Sequence, residues 1–335
     1  MVYGYTIDPH KIDPLVSIAD EALEQFADAT VPGAWLVDII PALKYVPEWM
    51  PGTGWKQTGL KWRAKLMEAA GKPLKLAQNK IARGDRTKSF VTEFYDNSGD
   101  EISAEDEAAL KWVSLSMYAG GADTVPMTLF PEVQLKAREE IDRVIGTGRL
   151  PTYTDKDNLP YVTAIVTEAA RWHPVAPMGV PRATIADDVI NGYFIPKGAV
   201  VLPNVWWFTH DPAVYPDPMK FNPSRYLGPN PAPDPTDFTF GYGRRICPGR
   251  HLATASIWLT VARSLAVFKI SKGLDENGRE IEPELGFSPG IISRVEPFKA
   301  TIKPRSPQHE ALICQVEKLH PWEESDVDEL RKIVI

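Results

Sequence analysis

The chemistry in this sequence centres on one cysteine set among glycines and arginines. In FTFGYGRRICPGRHLA, residues 238–253, Cys247 is preceded by Arg244 and Arg245 and followed by Pro248. Proline fits the first helical position, where a missing N–H costs nothing, and residues 248–268 continue with apolar side chains at helical spacing. That pattern puts Cys247 at the positive end of a helix, where unpaired N–H groups, the macrodipole and the two guanidiniums favour an anionic sulfur. Gly241, Gly243 and Gly249 let the backbone turn sharply and lie flat against a broad partner. A thiolate in a flat cationic loop suits a planar anionic cofactor that carries a metal. Haem has those properties: its iron takes a thiolate, and arginines take its propionates. The competing interpretation is a small buried hydrophobe, the commonest fate of a free cysteine.

The order F-x-x-G-x-x-x-C-x-G, met by Phe240, Gly243, Cys247 and Gly249 with Arg245 two before the cysteine, decides between them. It resembles the haem-ligand loop of the cytochrome P-450 family. The resemblance implies that Cys247 is the axial ligand to the iron of haem b, iron protoporphyrin IX. In TEAARWHP, Glu168 and Arg171 are three apart and share a helix face. Alone they would be an ordinary ion pair, but in this setting they resemble the family's E-x-x-R pair. Phe221, Pro223 and Arg225 in KFNPSRY resemble the F-x-P-x-R segment that completes it. The implied arrangement is a buried, hydrogen-bonded structural triad of Glu168, Arg171 and Arg225.

Two further stretches belong to the same resemblance. Gly120 and Gly121 stand side by side in a helical pattern, at a cost of roughly 1 kcal/mol each relative to alanine. The family opens its long central helix beside the haem at such an A/G-G-x-D-T stretch. That implies that Thr124 hydrogen-bonds dioxygen there and that Asp123 helps relay protons to it. VAPMGVPRAT, residues 175–184, is implied to line the substrate pocket through Val175, Met178 and Val180, with Tyr118 and Gly120 from the central helix and Ile291 from FSPGIIS. Arg182 is implied to meet a haem propionate alongside Arg245. The apolar lining points to a lipophilic small molecule. The implied partners are dioxygen and an NADPH-dependent cytochrome P-450 reductase, and the sequence is closest to the fungal microsomal branch.

Helices must position these residues. Helical spacing covers 11–30 and 53–83, and Ser103 with Asp106 forms a capping-box-like start to a helix running toward Pro126. A helix over 131–146 opens on proline and closes on glycine, and another follows Leu159. DDVINGYFIPKGAVVLPN, residues 187–204, is β structure with turns at Asn191-Gly192 and Pro196-Lys197-Gly198. The fold class is therefore mainly α with a small β region. The prolines collect in the connections, most of all over 210–238, an extended loop either ordered or flexible.

Composition sets the outer limits. Lysine plus arginine number 37 against 44 aspartate plus glutamate, a net −7 that gives no surface for nucleic acid. Two cysteines are too few for a disulfide framework and suit a reducing compartment, and Cys314 near the terminus is expected to be inert. No stretch reaches the roughly 18 apolar residues of a membrane span, and MVYGYTIDPH is no signal peptide. The chain itself is expected to be soluble and cytoplasmic, although the family expectation is the cytosolic face of the endoplasmic reticulum.

Two departures from the P-450 pattern qualify the expectation. By that resemblance the chain is expected to lack the membrane anchor, most of the N-terminal sheet and the helix with a propionate-gripping W-x-x-x-R pair. After Thr124 only VPMTLF precedes the P-E-V-Q helix, a shortfall of roughly ten residues or about 15 Å of helix. The expected fold is an incomplete P-450 catalytic domain over 1–313 with a tail over 314–335, and the 335-residue chain is expected to be a poor enzyme. Beside the monooxygenase stand two alternatives: an inactive truncated paralogue or mis-spliced product, and a haem-thiolate isomerase or dehydratase.

Overall fold

Asp13 and Pro14 dictate where the first helix starts. Asp13 Oδ1 accepts the amides of Leu15 at 2.8 Å and Val16 at 3.3 Å, and proline at the first helical position needs no partner. Helix α1 then runs Pro14–Ala29. The structure is a computed structural model that describes residues 2–31, 33–98, 102–119, 129–284 and 286–334. The chain divides into two compact units, one of residues 1–122 with 321–335 and the other of residues 123–320.

In the first unit α1 is followed by α2 (Leu36–Ile39), a 3-10 turn over Pro41–Tyr45, the long α3 (Gly54–Ala82), α4 (Phe90–Asn97) and α5 (Ala104–Ala119). Ser103 Oγ accepts the Asp106 amide at 3.1 Å and donates to its carboxylate at 2.6 Å. The acidic first turn, Glu105 to Glu107, also suits the helix dipole. Pro73 interrupts the hydrogen-bond ladder of α3, which ordinarily costs about 3 kcal/mol. It sits on the buried face with Leu74 and Ala77, whose packing with Tyr3, Val91 and Leu110 offsets that loss.

The second unit begins its described part with α6 (Pro131–Val144), a 3-10 turn over Tyr153–Asn158, and α7 (Pro160–Trp172). Gly146, at φ 76°, donates its amide to Ile141 and Asp142 and closes the α6 end. No side chain of its own caps α7. Instead the Glu140 carboxylate of α6 accepts the amides of Tyr161 and Val162 at 3.0 Å, so the two helices share one polar anchor. Among the described residues two short antiparallel pairings come next. β1 (Arg182–Ala183) pairs with β4 (Val200–Val201), and β2 (Asp188–Ile190) pairs with β3 (Tyr193–Ile195). Asn191 at φ 50° and Gly192 at φ 85° supply the two left-handed residues of the expected hairpin turn.

Helices α8 (Val205–His210), α9 (Thr236–Thr239) and α10 (Arg250–Val267) come next, then β5 (Phe268–Lys272) and β6 (Ala300–Pro304), paired with Ile270 opposite Ile302. The helical spacing of the sequence continues to Phe268, but that residue already opens a strand. FKISK alternates, and pairing with β6 overrides the local pattern. The core of this unit lies where α6, α7 and α10 meet: Ala137, Ile141, Val162, Ile165, Trp258, Ala262 and Leu265 are inaccessible or nearly so. Trp258 Nε1 donates to Thr163 Oγ1 at 2.9 Å, satisfying the indole inside that core. The proline-rich stretch is ordered, held by Ala232 N to Arg225 O at 2.8 Å and Tyr215 Oη to Pro233 O at 3.1 Å.

Two helices end the chain. α11 (Pro307–Leu319) carries Cys314 on its exposed side, and α12 (Val327–Arg331) returns to the first unit and packs against α1 and α3. Among the described residues no helix is long and apolar enough to cross a membrane.

Candidate functional site

The cysteine loop closes on itself. Cys247 N donates to Phe240 O at 2.8 Å and Ile246 N to Gly243 O at 3.1 Å, making a tight fold between Phe240 and Cys247. Gly241 at φ 79° and Gly243 at φ 57° provide the reversals, in a region that other residues enter only at a cost. Helix α10 begins two residues later than the proline rule suggests. Pro248 and Gly249 form a turn, and the first i to i−4 bond is Ala253 N to Gly249 O at 2.9 Å. Cys247 therefore stands three residues ahead of the helix, with its carbonyl accepting Arg250 N at 3.4 Å.

Cys247 is a half-buried free thiol. Arg244 and Arg245 beside it, and Arg182 on β1, are exposed and make no side-chain ion pair or hydrogen bond with another described residue. One thiol, uncommitted guanidiniums and a loop without Cβ bulk at residues 241 and 243 form a donor set that fits haem: a soft ligand for iron, cations for carboxylates and room for a flat ring. The ring of Phe238 in α9 lies 5.8 Å from that of Phe208 in α8, which ties the start of this loop to the neighbouring helix.

The 175–180 segment and the segment bearing Ile291 are brought together. Ser293 N donates to Val175 O at 2.8 Å. The adjacent His173 ring stacks on Phe287, with centroids 3.8 Å apart and planes at 18°, and Phe287 bridges Val295 across the hairpin. On the other side Trp206 N donates to Pro177 O at 2.8 Å. Gly179, at φ 56°, lets the chain pass Pro203 so closely that a Cβ there would lie 2.4 Å from the proline Cγ. Val175, Met178 and Val180 remain exposed, while Ile291 is half-buried. Burial holds the His173 imidazole below the ordinary histidine range, opposed by a backbone hydrogen bond at Ser293. Asp123, Thr124 and Gly120 lie outside the described residues, as does the side chain of Tyr118 in α5.

Glu168 is the centre of the most heavily bonded polar cluster in this unit. Its carboxylate accepts Arg171 Nε at 2.8 Å, Arg171 Nη2 at 2.9 Å, Arg225 Nε at 3.2 Å and the Asn222 amide at 2.8 Å. Arg171 spends its remaining donors on Thr209 O and Lys220 O, and Arg225 on Pro216 O, Asp217 O and Lys220 O. Two arginines thus bind the 209–220 connection to α7 through its carbonyls, a role that motif matching does not disclose. Tyr215 was also missed: its ring lies 5.5 Å from the Arg171 guanidinium, and burial pushes its hydroxyl up to about 12. The phenylalanine of the F-x-P-x-R segment, Phe221, stacks on Phe130 at 4.6 Å and meets Trp172 edge-on, closing the cluster from the apolar side.

The family model described as cytochrome P-450 matches residues 19–299. The chain is 45% identical to the cytochrome P-450 monooxygenase claR of Ampulloclitocybe clavipes over 98% of its own length and 63% of that protein. It is 40% identical to the cytochrome P-450 monooxygenase ppsD of Aspergillus oryzae, covering 100% of this chain and 66% of the relative. It is 38% identical to the O-methylsterigmatocystin oxidoreductase of Aspergillus flavus, covering 100% of this chain and 65% of the relative. The chain thus spans just under two thirds of the length of these curated relatives.

Proposed function

The chain belongs to the cytochrome P-450 family, and on that footing we propose that it supplies the haem-binding part of a monooxygenase acting on a lipophilic small molecule. The observation that carries this is the Phe240–Cys247 loop: the Cys247 amide bonds the Phe240 carbonyl, the thiol is free, and α10 begins three residues on. The Aspergillus flavus relative is an O-methylsterigmatocystin oxidoreductase, which supports a fungal secondary metabolite as the lipophilic substrate, with a xenobiotic as the alternative.

Haem b bound at this loop would supply dioxygen activation, one oxygen atom entering the substrate and the other leaving as water with two protons and two electrons from an NADPH-dependent reductase. Cys247 would be the protein's ligand to the iron, presented by the glycine-based loop. Arg182 and Arg245 hold the propionates, as free guanidiniums matched to carboxylates. Glu168, Arg171 and Arg225 keep α7 and the 209–225 connection in one arrangement, so that the segments flanking the cysteine loop cannot shift. Val175, Met178, Val180 and Ile291, with Tyr118 and Gly120, orient the substrate by apolar contact and exclude water. Thr124 would donate a hydrogen bond to dioxygen and Asp123 would relay protons toward it, as the family resemblance implies. The family expectation places the whole protein on the cytosolic face of the endoplasmic reticulum.

The test is expression of the chain with haem supplementation, followed by the absorption spectrum of the reduced, carbon-monoxide-bound form. A red-shifted thiolate Soret band that disappears in Cys247→Ala is the expected result. A spectrum without that band, or with the band intact in Cys247→Ala, would refute the assignment.

A further inference from the structure

Ser325 stands just ahead of α12, in WEESDVDELR. Residues 321–325 have no regular secondary structure, and their amides and carbonyls make no backbone hydrogen bond with another described residue. Carboxylates surround the serine: Glu323 and Glu324 before it, Asp326, Asp328 and Glu329 after it. The fold already uses two of them. Asp326 receives Lys80 Nζ on both oxygens at 3.0 Å, and Glu329 takes Arg83 at 2.9 and 2.6 Å. Glu323, Glu324 and Asp328, at positions −2, −1 and +3 from the serine, stay exposed, the Asp328 side chain to 87%.

Acidic flanks alone are common in solvated segments, and what singles out Ser325 is the cavity beside it. The serine, Val327, Asp328 and Arg331 meet Asp8 and Lys11, from the stretch ahead of α1, around a space of about 100 Å³. Ser325 Oγ accepts the Val327 amide at 3.2 Å, and its own proton has no acceptor among the described residues. Lys11 Nζ lies 3.7 Å from Asp8 and Arg331 Nη1 lies 3.5 Å from Asp328, with the two cationic side chains 79% and 63% exposed. Exposed pairs this loose are worth little, so either cation can change partner at small cost.

We propose that Ser325 is a phosphorylation site for an acidophilic protein kinase, and that its phosphate is received by Lys11 and Arg331. In the transfer a bond forms between Ser325 Oγ and the γ-phosphorus of ATP, the bond from that phosphorus to the bridging oxygen breaks, ADP leaves, and the hydroxyl proton passes through the kinase's base to solvent. A kinase groove lined with cations reads the three exposed carboxylates, as arginine clusters read acidic motifs. The product carries a charge of about −1.5 to −2 at pH 7 and three strong acceptor oxygens. Lys11 and Arg331 turn to these oxygens, since charge-assisted bonds to phosphate exceed their present loose contacts. Asp8 and Asp328 line the same cavity and oppose the phosphate, but Asp328 is exposed enough to turn into water, and Lys80 already neutralises Asp326. The modification thus joins residue 11 to α12 across the cavity.

Ser103 supplies a contrast within the same chain. ISAEDE also sets acids after a serine, with Asp106 at +3. There the hydroxyl is bonded to that same Asp106, accepting its amide at 3.1 Å and donating to its carboxylate at 2.6 Å. Hydroxyl and recognition acid are both engaged in capping α5, which makes Ser103 the poorer substrate.

The test incubates the 335-residue chain with casein kinase II and magnesium ATP and locates phosphate by mass spectrometry of proteolytic peptides. Ser325 should be modified at least about tenfold faster than Ser103, and Asp328→Asn should slow Ser325 by about tenfold through loss of one charge-assisted contact. No phosphate at Ser325, or equal rates at the two serines, would overturn the site. Phosphorus NMR of the product tests the cavity. A phosphoserine ordinarily titrates near a pKa of about 6, and Lys11 and Arg331 should hold this one lower. Lys11→Gln and Arg331→Gln should each return it toward the ordinary value while Ser325 is still modified. A titration at or above the ordinary value in the parent product, or one that neither substitution moves, would overturn the receiving role of the two cations.

Discussion

Glu168 and Arg171 hold each other through two parallel hydrogen bonds, Nε to Oε2 at 2.8 Å and Nη2 to Oε1 at 2.9 Å, with neither side chain accessible to water. At three residues' separation on α7 this is the cheapest geometry for a bidentate pair, because one helix fixes both partners. Burial makes it consequential. Removing one partner strands a charge that has no route to solvent.

Glu168→Ala should therefore destabilise the protein by about 3–5 kcal/mol, read as a fall in the urea midpoint at unchanged slope. Glu168→Gln should cost less, since the amide oxygen still accepts one arginine donor. A midpoint within error of the parent for Glu168→Ala would mean that the carbonyls around Arg171 and Arg225 carry the cluster without it.

Cys247→Ala should abolish the thiolate Soret band, whereas Cys314→Ala should leave it unchanged, because Cys314 sits on the exposed side of α11. Reduced carbon-monoxide spectra of both variants make the comparison. The reverse outcome would move the ligand to the other cysteine.

Thr124→Ala should keep haem content while diverting reducing equivalents to peroxide, since the proposed hydrogen bond serves only dioxygen. The quantity to follow is peroxide formed per NADPH consumed. An unaltered ratio would remove Thr124 from the chemistry.

Gly179→Ala places a methyl group 2.4 Å from Pro203 Cγ at a φ of 56°, so both space and backbone oppose it. The expected cost is about 1–3 kcal/mol, with a change in the binding of apolar ligands as Val175 to Val180 shift. Thermal melting and ligand titration should show both effects. Parent-like behaviour in both would show that the 203 segment yields freely.

Burial lowers the His173 pKa from its ordinary 6.5, with a backbone hydrogen bond at Ser293 opposing. The unfolded chain then binds this proton more readily than the folded one, so stability falls as pH drops through the unfolded value and is regained above it. His173→Phe retains a ring to stack on Phe287 but cannot titrate. Its urea midpoint should therefore decline less than the parent's between pH 7.5 and pH 5.5, a range spanning the unfolded value of about 6.5. Parallel declines would assign the acid sensitivity to other groups, such as His210 and His309, whose pKa values burial also lowers.

The sequence alone determined whatever depends on neighbours along the chain. The caps at Ser103, the proline-opened α6 and α7 and the Asn191-Gly192 turn are local choices of backbone conformation, so residue type and spacing suffice to read them. The Phe240 to Gly249 loop is legible for the same reason, since its glycines and its cysteine lie within ten residues. Tertiary structure decided what depends on distant partners. Glu140 caps α7 from another helix, β5 forms only because β6 reaches it, and Arg171 finds its acceptors at Thr209 and Lys220. The C-terminal segment shows the limit most plainly. SDVDEL is an unremarkable acidic stretch until folding brings Lys80, 246 positions away, against Asp326, because a charge pair is set by proximity in space and leaves no periodic trace in the chain.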